Sequence, residues 1–213
     1  MKTETRILGI ILFITVVLLA GGIFFLSKQQ SLQEVKGTAT VQIDYSKGQK
    51  AGPDSAKIKL VEFSDFQCSA CAVAESYLKK IRSTYPDDVQ IIYRHLLIHE
   101  SSKLAVSVAE AAGQQGKFWE MADRLFETQS GWSQLSDPTS FFLNLVRELN
   151  LDENKIKKAL DEDEFKVKID ADMAEGQSLD VTYTPTFFLN GVKLNLHRFE
   201  DLDTLIEEEL NKK

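Results

Sequence analysis

The sequence is poor in the residues that bind metal ions or cross-link a fold. Its 213 residues include two cysteines and three histidines. A structural zinc site needs four ligands, usually in two closely spaced pairs, and the histidines provide no second pair beside the cysteines. A chain of this length can bury an apolar core without disulfide cross-links. We therefore expect no metal site and a fold held together by ordinary packing.

The chain also lacks an excess of positive charge. It contains 25 Lys and Arg against 32 Asp and Glu, which gives a net charge of −7. Proteins that bind nucleic acid neutralise phosphates with basic patches. This composition argues against a nucleic-acid partner and is typical of a well-solvated acidic surface.

One long stretch near the N-terminus has no charge at all. Residues 7–26 read ILGIILFITVVLLAGGIFFL, and as a helix they would span about 30 Å, the thickness of a membrane's hydrocarbon core. Lys2 and Arg6 precede the stretch, and basic flanks favour a cytoplasmic N-terminus. We expect residues 1–6 to be cytoplasmic, residues 7–26 to form a single-pass transmembrane signal-anchor, and the rest to be extracytoplasmic. A cleaved signal peptide is the alternative, which the length of the apolar stretch disfavours.

The remaining chain divides into a polar segment and a folded domain. Residues 27–52 are predicted to link the membrane to the domain, and within them TATVQIDY shows the weak alternation of an edge strand. Residues 53–213 have the pattern of an α/β domain. A strand, a helix and a second strand come first, and this order predicts parallel pairing through a right-handed crossover. Several helices follow over about residues 100–178, and two strands around the turn Asn190-Gly191 precede a last helix.

Both cysteines lie in one short motif, FSDFQCSAC, where an apolar strand ends and a helix begins. Cys68 is predicted to lie at the start of the helix, where unpaired N–H groups and the helix dipole stabilise an anion. The pKa of its thiol should therefore fall below the value of about 8.5 for a free cysteine. Cys71 lies one turn further along, within disulfide distance and more buried. This asymmetry is suited to thiol–disulfide exchange, in which one sulfur reacts and the other resolves the mixed disulfide.

The cysteine pair has three simpler interpretations. A structural disulfide would close a very short loop and would constrain the unfolded chain little. Half of a zinc site would need further ligands, and chance placement remains the third possibility. The predicted export favours exchange chemistry, because outside the cytosol a surface dithiol persists only as a functional couple.

Other residues receive structural interpretations. His95 and His99 are expected to be structural, because a lone histidine is more often a satisfied structural residue than a catalytic one. Asp65 is expected to be solvated and Phe66 to belong to the core. Asp152 is predicted to cap a helix.

Three segments resemble the DsbA-like branch of the thioredoxin superfamily. They are VEFSDFQCSAC, YRHLLIHESS with the following AEAAGQQGKFWEM, and TYTPTFFLNG. The resemblance covers about residue 52 to the C-terminus and implies a thioredoxin-like α/β fold with a helical insertion, here preceded by the N-terminal transmembrane helix. It implies that Cys68 is the nucleophile and Cys71 the resolving thiol. Ser69 and Ala70 separate them, where strong oxidants of the family often have proline and histidine.

The resemblance also implies roles for residues distant from the cysteines. Pro185 matches a cis-proline, which would bring the backbone of Thr184 beside the disulfide, where an extended substrate could pair with it. Glu62 matches a buried acid below the active site. Burial would raise its pKa and suit it to proton exchange with Cys71, whereas a solvent-facing glutamate is the alternative.

The function implied is that of an extracytoplasmic thiol–disulfide oxidoreductase that forms disulfides in exported proteins. Its partners would be reduced or unfolded exported proteins and a membrane protein that reoxidises the dithiol. Its redox group would be the pair of cysteines, with no other cofactor. A reductase or isomerase of the same fold is a second hypothesis, favoured by the missing histidine. A binding module or chaperone with an incidental dithiol is a third, suggested by the large helical insertion and the acidic surface.

Overall fold

The computed structural model describes residues 13–24, 36–99 and 101–212. Residues 13–24 are helical (α1), and within the described ranges no helix is both long and apolar enough to cross a membrane. The predicted transmembrane segment, residues 7–26, extends beyond these ranges. The predicted cytoplasmic residues 1–6 lie outside them.

A mixed sheet forms the centre of the domain. In the described residues it has six strands, in the order β1-β6-β5-β3-β4-β2. The strands are β1 (Lys36–Thr40), β2 (Gln49–Ala51), β3 (Ile58–Ser64), β4 (Val89–His95), β5 (Thr186–Leu189) and β6 (Val192–Leu194). β3 and β4 pair in parallel, as their sequence order predicts, whereas β3 and β5 pair antiparallel. β3 and β4 are buried along almost their whole length, because helices cover both faces of these central strands.

The two edge strands correct the predicted domain boundary. Residues 27–52 were expected to be a linker, but β1 pairs with β6, and β2 pairs with β4, so both belong to the sheet. Their composition is polar and short edge strands need little apolar surface, so composition alone does not separate them from a linker. The weak alternation of TATVQIDY predicted an edge strand, which begins two residues earlier at Lys36.

Helices α2 to α9 complete the described fold. They are α2 (Ser69–Thr84), α3 (Ser102–Gly113), α4 (Phe118–Glu127), α5 (Gln129–Trp132), α6 (Thr139–Glu148), α7 (Glu153–Asp161), α8 (Lys166–Ser178) and α9 (Asp201–Asn211). α2 connects the parallel strands, and α3 to α8 form the insertion between β4 and β5. The side chain of Asp152 accepts hydrogen bonds from the first-turn amides of α7, which confirms the predicted cap. Asn190 and Gly191 both have positive φ, as the predicted type I′ hairpin turn requires.

Helix α2 lies where two parts of the core meet. Its residues Ala74, Leu78 and Ile81 form the predicted apolar face and pack against the central strands and α9. Its first turn instead packs against the insertion, because Cys71 belongs to the same apolar cluster as Phe66 and helices α3, α4 and α6. The start of α2 is therefore held between the sheet and the insertion.

Candidate active site

Cys68 occupies the N-cap position of α2. Its backbone is extended, with φ −76° and ψ 122°, and the helix begins at the next residue. A loop of three residues separates it from the end of β3, and the Cys68 amide donates to the Asp65 carbonyl across this loop at 3.0 Å. The strand therefore delivers Cys68 to the positive end of the helix, as the sequence predicts.

The two sulfurs differ in their access to solvent. Both cysteines are free thiols in this structure. Cys71 is fully buried, whereas Cys68 retains 9% of its surface and is followed by the exposed residues Ser69 and Ala70. A substrate sulfur could therefore reach Cys68 but not Cys71.

The two thiols also differ in acidity. The pKa of Cys68 is lowered to about 5, chiefly because the Cys71 thiol donates a hydrogen bond to its sulfur. Burial opposes this shift, and the Thr184 side chain and the amides of Cys71 and Ala70 add to it. Burial, the hydrogen bond to Cys68 and the charge of Glu62 raise the pKa of Cys71 far above its ordinary value. At neutral pH the pair thus consists of one thiolate and one thiol.

The loop before β5 forms the second wall of the site. The Thr184–Pro185 peptide bond is cis, in agreement with the sequence prediction. The Cys68 sulfur lies 3.4 Å from the Thr184 carbonyl oxygen, which a protonated thiol can use as an acceptor. Tyr183, next in the loop, is half exposed. An extended chain lying along this loop would have its backbone next to the reactive sulfur.

Glu62 lies in the middle of β3 and is buried. It is 1% exposed, so it is not the solvent-facing glutamate of the alternative interpretation. Strand alternation places it on the same face as Leu60, which packs against α2. Neither of its carboxylate oxygens has a hydrogen-bond partner among the described residues. Burial, followed by the charge of Glu75, raises the pKa of Glu62 to about 8.

Asp65 corrects the expectation of a solvated residue. It is 1% exposed, and its carboxylate accepts from the amides of Gln67 at 2.7 Å and Ile98 at 2.8 Å. The Ser102 hydroxyl and the amide of His99 also donate to it. Asp65 therefore ties the loop before Cys68 to the start of the insertion. The sequence gives little signal for this, because the donors at the start of the insertion lie more than thirty residues away.

Gln129, on α5, holds the same loop from another direction. Its side-chain amide donates to the Phe66 carbonyl at 2.7 Å and to the Cys68 carbonyl at 3.0 Å. Phe66 itself is fully buried, as expected. The contact of Gln129 could not be predicted, since nothing in the surrounding sequence marks a residue of the insertion that reaches the cysteine motif.

His95 and His99 each contact a buried carboxylate. His95 is fully buried, with Nε2 2.6 Å from a carboxylate oxygen of Glu110, and Lys168 donates to the same carboxylate. His99 Nδ1 lies 3.0 Å from Asp65 Oδ2. Within the described part of the chain, no group of three or more His, Cys, Asp or Glu side chains is arranged to hold a metal ion.

The sequence matches the model of one protein family and is similar to two kinds of proteins, Na(+)/H(+) antiporters and probable disulfide bond formation proteins. The sequence model of the family described as Thioredoxin matches residues 46–208. The Na(+)/H(+) antiporter NhaA of Herminiimonas arsenicoxydans is 32% identical over 143 residues, which cover 67% of this chain and 22% of the antiporter. The chain thus spans about a fifth of the length of that relative. The probable disulfide bond formation protein D of Bacillus anthracis is 29% identical over the full length of both chains.

The fold is also found among solved structures. The crystal structure of oxidised BdbD from Bacillus subtilis superposes with a TM-score of 0.74 at 23% identity, covering 83% of this chain and all of that one. At this identity the likeness concerns the fold, which is the α/β fold with a helical insertion that the sequence predicts. Because the family match extends over most of the chain, from β2 to α9, this protein belongs to the thioredoxin family.

Proposed function

We propose that this protein is a thiol–disulfide oxidoreductase that forms disulfides in other proteins. The observation that carries the proposal is the pairing of the Cys68 thiolate at the start of α2 with the buried Cys71 thiol. A thiolate is the reactive form in disulfide exchange, and a second thiol within reach allows the mixed disulfide to be resolved. The relatives named as probable disulfide bond formation proteins support the same activity.

The reaction starts from the form with a Cys68–Cys71 disulfide. A substrate thiolate attacks the Cys68 sulfur, the bond between the two cysteines breaks, and Cys71 leaves with the electron pair and takes a proton from Glu62. A second substrate thiolate then attacks the substrate sulfur of the mixed disulfide and releases Cys68 as a thiolate. The substrate loses two electrons and gains a disulfide, and the protein becomes a dithiol. Thr184 and Pro185 hold the substrate backbone beside Cys68 during both steps.

The acidity of Cys68 favours disulfide formation over disulfide reduction. A sulfur with a low pKa is a good leaving group, and its stable thiolate favours the reduced form of the protein. A protein whose reduced form is stabilised accepts electrons readily and is therefore an oxidant. The hydrogen bond from Cys71 and the nearby amides provide this stabilisation without a histidine between the cysteines.

The direction of electron flow can be tested with the wild-type protein. The oxidised form should convert a reduced dithiol peptide to its disulfide in a one-to-one reaction. Its reduction potential, measured against glutathione, should lie above about −200 mV, because the Cys68 thiolate stabilises the reduced form. A potential at or below that of thioredoxin, about −270 mV, would contradict the oxidase and support the reductase hypothesis. A dithiol that does not exchange with the peptide at all would instead support a binding module.

The location of the protein forms a separate part of the proposal. The uncharged residues 7–26 anchor the chain in the cell membrane as a single-pass helix, and the domain faces outward, where it meets reduced exported proteins. Each turnover leaves a dithiol, so a membrane redox partner is needed to restore the disulfide. The two cysteines are the only ones in the chain, so a membrane-impermeant thiol reagent reports their location. Membrane-bound protein labelled in intact cells is the expected result, and labelling only after lysis would contradict it.

A further inference from the structure

A cavity of about 650 Å³ opens beside the loop that precedes β5 and has no role in the reaction described above. Its lining includes the buried Leu96 and Val181, the half-buried Met173 on α8 and the half-exposed Ile98. Mostly apolar cavities of roughly 300–1,000 Å³ are typical of binding sites. We refer to this one as the α8 cavity.

The α8 cavity lies on the face of the sheet opposite α2 and α9. Leu96 and Val181 pack in one cluster with Phe63 of β3. Leu60, also on β3, packs with α2 and α9 instead. Residues 60 and 63 are an odd number of positions apart, so their side chains leave the strand on opposite faces. The surface around the cavity is therefore distinct from the one that α9 shares with α2.

One residue, Asp65, fixes the cavity relative to the nucleophile. The Asp65 carbonyl accepts from the Cys68 amide at 3.0 Å, and its carboxylate accepts from the Ile98 amide at 2.8 Å. The neighbouring amide of Leu97 donates to the Met173 sulfur at 3.1 Å. The backbone at the edge of the cavity is thus hydrogen-bonded both to the loop that carries the nucleophile and to α8. The cavity and the reactive sulfur therefore keep a fixed position relative to each other.

The substrate backbone proposed to lie along Thr184 reaches the cavity within two residues. Thr182 lines the cavity and lies two residues before Thr184, whose carbonyl oxygen is 3.4 Å from the Cys68 sulfur. Two residues of chain span at most about 7 Å, in this loop and in the substrate alike. In an extended substrate, side chains two positions apart point to the same side. When the substrate cysteine lies at Cys68, the side chain two positions away therefore lies at the cavity.

The lining defines the chemistry of the side chain that fits. Ile98 is 50% exposed, so an apolar occupant would cover apolar surface that water now contacts. The carboxylates of Asp170 and Asp180 also line the cavity, although Lys166 pairs with the first of them. An acidic side chain would lose hydration in the cavity and would be repelled by these charges. The side chain that fits is therefore large, apolar and uncharged.

We propose that the α8 cavity is a substrate subsite that takes a large apolar side chain two residues from the reacting cysteine of a reduced polypeptide. This inference rests on the proposed exchange reaction and names the class of substrate. Folded proteins bury most of their large apolar side chains, so such a subsite selects chains that are still unfolded. The residues of the cavity touch no reacting atom, so they act on the capture of the substrate and leave the chemistry of the sulfurs unchanged.

Reduced wild-type protein and single-cysteine peptides test the subsite. Each peptide carries its cysteine as a mixed disulfide with thionitrobenzoate. The Cys68 thiolate attacks the peptide sulfur, thionitrobenzoate leaves with the electron pair, and its absorbance measures the rate. The product is the mixed disulfide between Cys68 and the peptide, the same intermediate as in peptide oxidation.

The peptides differ in one residue, two positions before or after the cysteine, because an extended chain can lie along the loop in either direction. At one of these positions, leucine should raise the second-order rate constant by about tenfold over alanine, and glutamate should lower it. Leucine one position from the cysteine should give no gain, since its side chain points away from the cavity.

Two variants on α8 form a matched pair. Ala174→Phe places a ring in the cavity, which Ala174 lines, and should reduce the rate with the leucine peptide to that with the alanine peptide. Ala171→Phe makes the same change at an exposed position of the same helix outside the cavity lining, and should retain the preference for leucine. No preference in the wild type, an undiminished preference in Ala174→Phe, or equal loss in both variants would overturn the subsite and leave the exchange reaction intact. Absence of thionitrobenzoate release with every peptide would instead overturn the proposed function.

Discussion

Replacement of Cys68 by serine is expected to abolish the oxidation of a dithiol peptide, with a loss of rate of at least about 10³-fold. A serine hydroxyl does not ionise near neutral pH and cannot form a disulfide, so neither step of exchange can occur. The variant should also lose the rise in thiolate absorbance at 240 nm, which in the reduced wild type is expected with a midpoint near pH 5. Peptide oxidation and the absorbance titration measure the two effects separately.

The variant Cys71→Ser is the matched control for this result. Its Cys68 remains a free thiol at the start of α2, so it can still exchange with a mixed disulfide of the peptide. The product should accumulate as a covalent adduct, because no second thiol is present to release it. Retained peptide oxidation in Cys68→Ser, or an adduct formed through Cys71 in that variant, would show that Cys68 is not the nucleophile.

The variant Glu62→Gln is expected to make the reduced protein more stable at neutral pH by about 3 kcal/mol. The folded protein holds the pKa of Glu62 at about 8, against 4.5 for an unburied glutamate. Below pH 4.5 the carboxyl is protonated in both states, so its ionisation costs no stability. As the pH rises from 4.5 to 8, the unfolded state ionises more readily and the wild type progressively loses stability, at ~1.36 kcal/mol per pH unit.

Urea denaturation of both proteins at pH 4.5 and pH 7 measures this difference, which should be present at pH 7 and nearly absent at pH 4.5. The control is Glu162→Gln, which changes an acid whose side chain is 59% exposed and should have little effect at either pH. The same Glu62→Gln variant should release Cys71 more slowly, because an amide cannot supply the proton. A stability difference that is independent of pH would contradict the buried, ionisable Glu62 of the structure.

The parts of the site that depend on local sequence could be predicted. The position of Cys68 at the start of α2 follows from an apolar strand followed by a helical pattern, and the turn at Asn190-Gly191 follows from the residue types that tolerate positive φ. The cis bond at Pro185 was implied by the resemblance to DsbA-like proteins and is present. Each of these features is determined by residues within a few positions of it.

The parts that depend on packing between distant segments could not be predicted. Whether Glu62 faces solvent or the core depends on α2 covering one face of β3, and both arrangements fit the same alternating strand. The burial of Glu75 depends on α4, and that of Asp65 on the segment around Ile98 and Ser102. A polar residue gives no sign in the sequence that a later helix will enclose it. The transmembrane segment at residues 7–26 stays a prediction.

The amide of Gln129 has a consequence for engineering this protein. Gln129, on one of the helices between β4 and β5, donates to the carbonyls of Phe66 and Cys68. The helical insertion therefore helps to position the nucleophile, in addition to shaping the surface around it. Excising residues 102–178 to obtain a minimal redox module would remove these hydrogen bonds and release the loop that positions Cys68. Transplanting the CSAC tetrapeptide alone onto another scaffold would fail to carry its reactivity for the same reason.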